Sequence, residues 1–318
     1  MYIHAIHIGL HKCASRSLQR YILAQHPEIN FSWREHKDIF IKHLVPYPMD
    51  FTSEQFNKRL DAVPWPGKPE GKVNVFSCEG LSGQMYCTDH SRIRAELLRQ
   101  TFAYTKIILV LREPMSYLLS AYHQYVLEGG VLKLKDFLRH PASPANRIVS
   151  KVLYADYLDH LYDLFPTQQV HVMFLEQMAC DEDSALSKLY SFLGVDATFR
   201  PEITNAKSSL HTTVISVLRR LNRLTRNHHN EAGVFSMGTY RAIRNCGEWV
   251  SSKMKRSGRG VMKDKLRRIL TDEEKDQIRL SNTRLAKMLR VDLGKWGYET
   301  DKLPGITEVD ELSFLPQI

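Results

Sequence analysis

Ile8-Gly9-Leu10-His11-Lys12-Cys13-Ala14-Ser15-Arg16-Ser17-Leu18 decides how this chain folds and what it can bind. It follows an apolar, strand-like run, Tyr2–Ile8, and it leads into a helix expected to start near Ser15. A strand that enters a glycine turn and then a helix directs free main-chain N–H groups outward at the positive end of the helix dipole. That arrangement cradles phosphate. Lys12 adds a mobile charge, and Ser15 and Ser17 add hydroxyl donors. The stretch is not a Walker A loop, which needs Gly-Lys-[Ser/Thr] at its end; here Lys12 follows Gly9 by three residues.

Outward from this loop, apolar runs alternate with helical segments. Val73–Cys78 follows the Pro/Gly-rich stretch Pro64–Gly71, and Lys106–Leu111 runs toward Pro114, a residue suited to the first turn of a helix. Val170–Phe174 precedes a helical pattern over Asp183–Leu193 that stops at Gly194. Strands alternating with helices imply βαβ units, hence an α/β fold with a central, mostly parallel sheet flanked by helices. After about residue 205 the strand signals fade. Residues 211–227 place Val214, Leu218, Leu221 and Leu224 at helical spacing, and Thr271 with Glu274 forms a capping box before Ile278, Leu285 and Leu289. The basic, glycine-broken segment Lys253–Arg268 reads as an exposed loop or a short, weakly held helix. The expected organisation is a single domain over residues 1–300, helix-rich in its C-terminal part, with a tail over 301–318.

Composition sets bounds on partners and compartment. Of 318 residues, 43% are hydrophobic and 25% charged, as in ordinary globular proteins. Lys and Arg number 44 against 35 Asp and Glu, a net charge of +9 that favours anionic partners or simply marks a basic solvated surface. The cysteines, Cys13, Cys78, Cys87, Cys180 and Cys246, form no CxxC pair and no Cys/His set at zinc-ligand spacing. Reduced thiols in a cytoplasmic protein are expected; no residue set suggests a metal, and no apolar stretch approaches the ~20 residues a membrane helix needs, so no transmembrane segment is expected.

A second phosphate-binding pattern lies at the end of another strand. In Leu109-Val110-Leu111-Arg112-Glu113-Pro114, Arg112 can fork onto a phosphate, and Ser120 follows eight residues later, about two helical turns on, with Tyr122 beyond it. The plainer alternative is an Arg–Glu surface pair with a helix-facing serine. Ligands of open α/β sheets sit at the carboxyl ends of strands, where both patterns fall.

Together the two patterns resemble those of the sulfotransferases that use 3′-phosphoadenosine-5′-phosphosulfate (PAPS), whose fold is related to that of the P-loop NTPases. The usual loop of that family is Gly-x-x-Lys-x-Gly-Thr-Thr-x-Leu. This chain departs from it at Ala14, Ser15 and Arg16. The resemblance implies that Lys12, Cys13, Ala14, Ser15, Arg16, Ser17 and Leu18 hold the 5′-phosphosulfate and that Arg112 and Ser120 hold the 3′-phosphate. It implies PAP as the product and no metal requirement. Asn205-Ala206-Lys207-Ser208 resembles a nucleotide-covering loop, which assigns Lys207 and Ser208 to the donor. Weaker likenesses lie at Val172–Glu176, at Leu189–Val195 and at Trp296-Gly297-Tyr298.

Two residues are candidates for the chemistry. Sulfuryl transfer resembles phosphoryl transfer, so the leaving oxygen needs charge stabilisation and the acceptor hydroxyl needs a base. The resemblance gives the first task to Lys12. Glu79, at the carboxyl end of Val73–Cys78, suits the second, its plainer alternative being an ion pair with Lys12 or a helix cap. Several carbohydrate-type relatives use a glutamate near this place where drug- and steroid-type relatives use histidine. The expected acceptor is therefore a hydroxyl of a carbohydrate, a glycolipid or a natural product. His11 reads as a loop-lining residue, and His90 and His123 as surface or core histidines. Rival readings are a P-loop-type kinase using ATP and Mg²⁺, which lacks its Gly-Lys-[Ser/Thr] here, and a non-catalytic nucleotide- or nucleic-acid-binding protein. No nucleic-acid partner is expected, because the basic segment lacks interleaved aromatics.

Overall fold

A computed structural model describes residues 2–44, 51–83, 85, 90–139, 148–202, 211–227, 229, 233–254 and 259–301. Five strands, β1 (Ala5–Gly9), β2 (Ile29–Ser32), β3 (Val73–Ser77), β4 (Lys106–Leu111) and β5 (Val170–Phe174), form one sheet in the order β2-β3-β1-β4-β5. All four pairings are parallel. The helices are α1 (Ser15–Ser17), α2 (Arg34–His43), α3 (Ser53–Asp61), α4 (Ser91–Thr101), α5 (Pro114–Leu127), α6 (Leu134–Leu138) and α7 (Tyr154–Leu164). They continue with α8 (Leu175–Cys180), α9 (Glu182–Leu193), α10 (Thr212–Leu221), α11 (Met237–Lys253), α12 (Arg259–Ile269) and α13 (Asp272–Leu289).

The chain forms two compact units. The first comprises Met1–Glu113, Leu153–Ala206 and Ser281–Ile318 and carries the whole sheet; the second comprises Pro114–Val152 and Lys207–Leu280. In the first unit every residue of β1 is buried, as are Ile107–Leu111 of β4, so these strands read as continuous apolar runs rather than alternating ones. Each large aliphatic side chain buried there contributes about 1.5–3 kcal/mol. From β1 the chain crosses to β2 at one edge, whereas from β3 and β4 it moves toward the other. β1 is therefore where the winding reverses, and the ligand crevice of such a sheet opens at its carboxyl end.

Four of the five strands match the apolar runs of the sequence. β2 has no such signal, because Ile29-Asn30-Phe31-Ser32 is short and half polar. Its polar members are satisfied by neighbours: Trp65 Nε1 donates to the Asn30 carbonyl at 2.9 Å and the Asn30 amide to Asn74 Oδ1 at 3.0 Å. The irregular-looking region after it is also folded, since Phe40 of α2 stacks on Phe76 of β3 at 4.0 Å and meets Phe56 of α3 edge-on at 5.1 Å.

The second unit is helical. α5 contacts α10 and α12, and Asn222 clamps the turn after α5 by donating to Val126 and Gly130 carbonyls at 2.7 and 3.0 Å. The capping box forms as the sequence predicts, with Thr271 N donating to Glu274 Oε2 at 2.8 Å and Glu274 N to Thr271 Oγ1 at 3.2 Å. The basic segment is more regular than its glycines suggest. Lys253 ends α11, residues 255–258 lie outside the described ones, and α12 buries Met262 and Leu266 four residues apart on one face.

Candidate active site

The loop after β1 is built by residues in unusual main-chain conformations. Gly9 has φ +112, and a Cβ there would lie 2.6 Å from Ser82 Oγ and 3.1 Å from the Glu79 carbonyl oxygen. Glycine is required both for the dihedral and for the close approach of the turn after β3. Lys12 and Ala14 have φ 63 and 59, left-handed values of the kind found in tight turns whose free N–H groups suit an anion. Ala14 starts α1 without a side-chain cap, so the N–H groups of Ser15 and Arg16 open the helix with no intrahelical acceptor. Ser17 and Leu18 donate their N–H groups to the Ala14 carbonyl at 2.8 and 3.1 Å.

The side chains of this loop divide by task. Ser15 is buried and donates its hydroxyl to the Leu10 carbonyl at 3.2 Å, so its one proton serves the loop's own backbone rather than an outside anion. Cys13 is buried beneath the turn and burial pushes its thiol up, which keeps it protonated and unreactive. Leu18 anchors the helix in the core, Ser17 is half-buried and Arg16 is exposed. Beyond α1 the chain continues as a π-helical segment, Leu18–Leu23, whose wider turn buries Gln19 together with Leu18, Ile22 and Leu23.

Arg112, just past β4, reaches this loop directly. Its Nη1 donates to the Lys12 carbonyl oxygen at 2.9 Å, so the two patterns read separately in the sequence meet across adjacent strands. Arg112 Nε is buried and has no hydrogen-bond partner, a donor left for an external acceptor. The backbone around it is clamped on both sides: Tyr154 Oη donates to the Arg112 carbonyl at 2.8 Å, and Glu113 N donates to Glu176 Oε1 at 3.0 Å. Tyr298 donates to the other Glu176 oxygen at 3.4 Å, which ties the Trp296-Gly297-Tyr298 segment to the same clamp. Burial raises the Glu176 carboxyl, against the opposing pull of the Glu113 N–H and the Arg112 charge.

Glu79 opens the 3-10 turn Glu79–Ser82 at the end of β3, on the other side of β1 from Arg112. One carboxylate oxygen lies 3.4 Å from His11 Nδ1, and the other accepts from Gln19 Nε2 at 3.4 Å. Gln19 also donates to Ser77 Oγ at 2.9 Å, and Ser77 Oγ is 2.7 Å from His7 Nδ1. Burial lowers the His7 imidazole to about 4, so the ring is neutral at pH 7. Burial works to raise the Glu79 carboxyl, but the His11 hydrogen bond and the nearby His11, His7 and Lys37 outweigh it and hold the group below the ordinary range. The rest of the turn is pinned by Arg94 Nη1 on the Gly80 carbonyl at 2.6 Å and by Ser82 Oγ on the Glu79 carbonyl at 3.0 Å.

The structure thus gathers Lys12, Cys13, Ala14, Ser15, Glu79 and Arg112 at the carboxyl ends of β1, β3 and β4. Ser120 sits half-buried on α5, in the second unit. Lys207 and Ser208 lie outside the described residues. His11, read from the sequence only as a loop-lining residue, touches Glu79. Gln19 and Ser77 carried no sequence signal, since a buried glutamine and serine are visible only once the fold brings them together. Among the described residues no group of three or more His, Cys, Asp or Glu could hold a metal ion, and no helix is long and apolar enough to cross a membrane.

A parallel sheet whose reversal strand ends in a glycine turn and an uncapped helix start is an α/β architecture with strand ends suited to a phosphorylated ligand. The comparisons with known proteins are narrower. The family model described as "Sulfotransferase domain" matches residues 5–269, and the chain belongs to that family. A sulfotransferase from Alicyclobacillus acidocaldarius has 18% identity and a TM-score of 0.56, with 93% of this chain and 99% of that one covered, which shows a shared fold. A mouse sulfotransferase complexed with PAP has 14% identity and a TM-score of 0.38 over 89% of this chain and 86% of that one. The sulfotransferase domain from the curacin biosynthetic pathway has 13% identity and a TM-score of 0.40 over 91% and 98%. A search of the curated proteins returns no match.

Proposed function

We propose that this sulfotransferase takes its sulfuryl group from PAPS and delivers it to a hydroxyl of a carbohydrate, glycolipid or natural product. The observation that carries the reading is the 2.9 Å bond from Arg112 Nη1 to the Lys12 carbonyl, which sets the arginine of the second phosphate pattern against the loop of the first. The residues present fit a bisphosphorylated nucleotide. The left-handed turn at Lys12 and Ala14 and the uncapped start of α1 offer converging N–H donors to the 5′ end. Arg112 Nε is a buried donor in want of an acceptor, which a 3′-phosphate oxygen would supply. Ser120 is assigned to the same phosphate on its spacing from Arg112, and Lys207 and Ser208 to the donor on their resemblance.

When bound, PAPS supplies a sulfuryl group attached to a phosphate oxygen and leaves as PAP. Lys12 places its ammonium to offset negative charge on that oxygen. Glu79, held below the ordinary carboxylate range, is ionised at neutral pH and accepts the proton of the acceptor hydroxyl. A carboxylate of low basicity cannot deprotonate a free alcohol outright. It takes the proton as attack makes the hydroxyl acidic, within the ~10²–10⁴-fold range of general-base catalysis.

The test is calorimetry with PAP, 5′-AMP and ATP/Mg²⁺. PAP is expected to bind at least about tenfold more tightly than 5′-AMP, as one extra charged phosphate held by arginine supplies roughly 1.5–3 kcal/mol. Equal affinities for PAP and 5′-AMP would overturn the donor assignment, and a preference for ATP with Mg²⁺ would favour phosphoryl transfer instead.

A further inference from the structure

We propose that His11 is a positioning residue for Glu79, tying the acceptor's base to the loop that carries Lys12. The inference rests on the reading of Glu79 as that base. An ionised carboxylate accepts hydrogen bonds only, so the nitrogen of Gln19 must face it, and His11 must present Nδ1–H to it. The two donors meet different oxygens, both at 3.4 Å, and grip the carboxylate from two sides.

The two sides differ in what they attach to. Gln19 is buried in the core and braced on Ser77, itself braced on His7. His11 stands on the loop, half-buried and adjacent to Lys12, whose carbonyl is held by Arg112. Through His11 the base is fixed to the element that grips the donor, so the two ends of the transfer keep one alignment. The charged and titratable groups facing Glu79 are His11 on the loop, His7 on β1 and Lys37 on α2, with the buried thiols of Cys13 and Cys78 kept neutral by burial.

The experiment compares His11→Ala, His11→Asn and Glu79→Gln with the wild type. Each is assayed for kcat, acceptor KM, the pH profile of kcat, and PAP affinity by calorimetry. His11→Ala is expected to lose about 10–100-fold in kcat at pH 7, the scale of a base displaced by about 1 Å. Acceptor KM and PAP affinity should stay within about threefold. Asparagine presents an N–H where Nδ1–H stood, so His11→Asn should recover most of the lost rate. Without His11 the Glu79 carboxyl moves up, and the acidic limb of the kcat profile in His11→Ala should move to higher pH. A wild-type rate in His11→Ala beside an inactive Glu79→Gln would overturn the positioning role while leaving Glu79 as base. Full activity in Glu79→Gln would remove the base itself. Parallel losses of rate and PAP affinity, an unmoved acidic limb, or no recovery in His11→Asn would each refute the proposal as well.

Discussion

Substituting Gly9 by alanine tests how the site is assembled, because a single methyl added at the start of the loop meets the turn that carries Glu79. The new Cβ would lie 2.6 Å from Ser82 Oγ, 3.1 Å from the Glu79 carbonyl oxygen and 3.3 Å from Glu79 Cα. Ser82 could rotate away, at the loss of its 3.0 Å bond to the Glu79 carbonyl, about 1 kcal/mol. The two Glu79 atoms belong to the main chain and cannot rotate aside. Backbone strain at φ +112 adds about 1–3 kcal/mol, and forcing the turn apart adds a similar amount. A destabilisation of roughly 3–7 kcal/mol follows, with a loss of kcat larger than stability alone explains, since the Glu79 turn is what yields. Urea unfolding at pH 7 and initial rates on soluble protein measure both. Gly9→Ala/Ser82→Ala should recover about 1 kcal/mol relative to the sum of the single changes, because the 2.6 Å contact is gone. A Gly9→Ala protein within about 0.5 kcal/mol of wild type and fully active would refute the close approach on which the geometry of the base depends.

The remaining predictions concern charge and strain. Lys12→Ala should keep the fold and lose transfer sharply, by about 10²-fold or more, in a single-turnover assay at saturating donor. Arg112→Lys removes both the Nη1 bond to the Lys12 carbonyl and the orphaned Nε, and should lower PAP affinity about tenfold while changing 5′-AMP affinity little. Ala14→Gly should raise stability by up to about 1 kcal/mol in urea, because alanine bears a left-handed φ of 59 that glycine adopts freely. The folded His7 titrates at about 4, below its unfolded value near 6.5, so between these the unfolded chain binds the extra proton. Stability should therefore fall as pH drops through that window, by on the order of 3 kcal/mol at its lower end, and a flat unfolding profile from pH 6.5 to 5 would contradict it.

What the sequence discloses here is local chemistry, and what it withholds is everything that depends on distant chain segments meeting. β1 and β4 are legible because burial on both faces makes them nearly continuous apolar runs, and β3 and β5 because Val, Phe and Met dominate them; β2, short and half polar with Asn30 and Ser32, is not. The loop is legible as Gly9 and Lys12 before a helix, and Arg112 as a forked cation after a strand. Their contact is not, because it joins residues 100 apart in the chain. His11 looked idle for the same reason. Its partner Glu79 lies 68 positions away, and only the parallel pairing of β1 with β3 carries the two together. The clamp on Arg112 assembles from Tyr154, Glu176 and Tyr298, and no spacing rule links them.

The strand order explains why these parts converge where they do. β1 lies between β3 and β4, so its carboxyl end has a strand end on either side, one delivering Glu79 and the other Arg112. A loop leaving any edge strand would have one neighbour and could be paired with a base or with an anchoring arginine, but not both. The residue that leaves β1 must then be slim enough to admit the turn from β3, which Gly9 is, and the next residues must span from one side to the other. His11 reaches Glu79 while the carbonyl of its neighbour Lys12 accepts from Arg112. The bridging therefore rests on two consecutive positions, His11 through its side chain and Lys12 through its carbonyl. Any insertion between His11 and Lys12 should break the link between base and anchor even if each pattern survived intact.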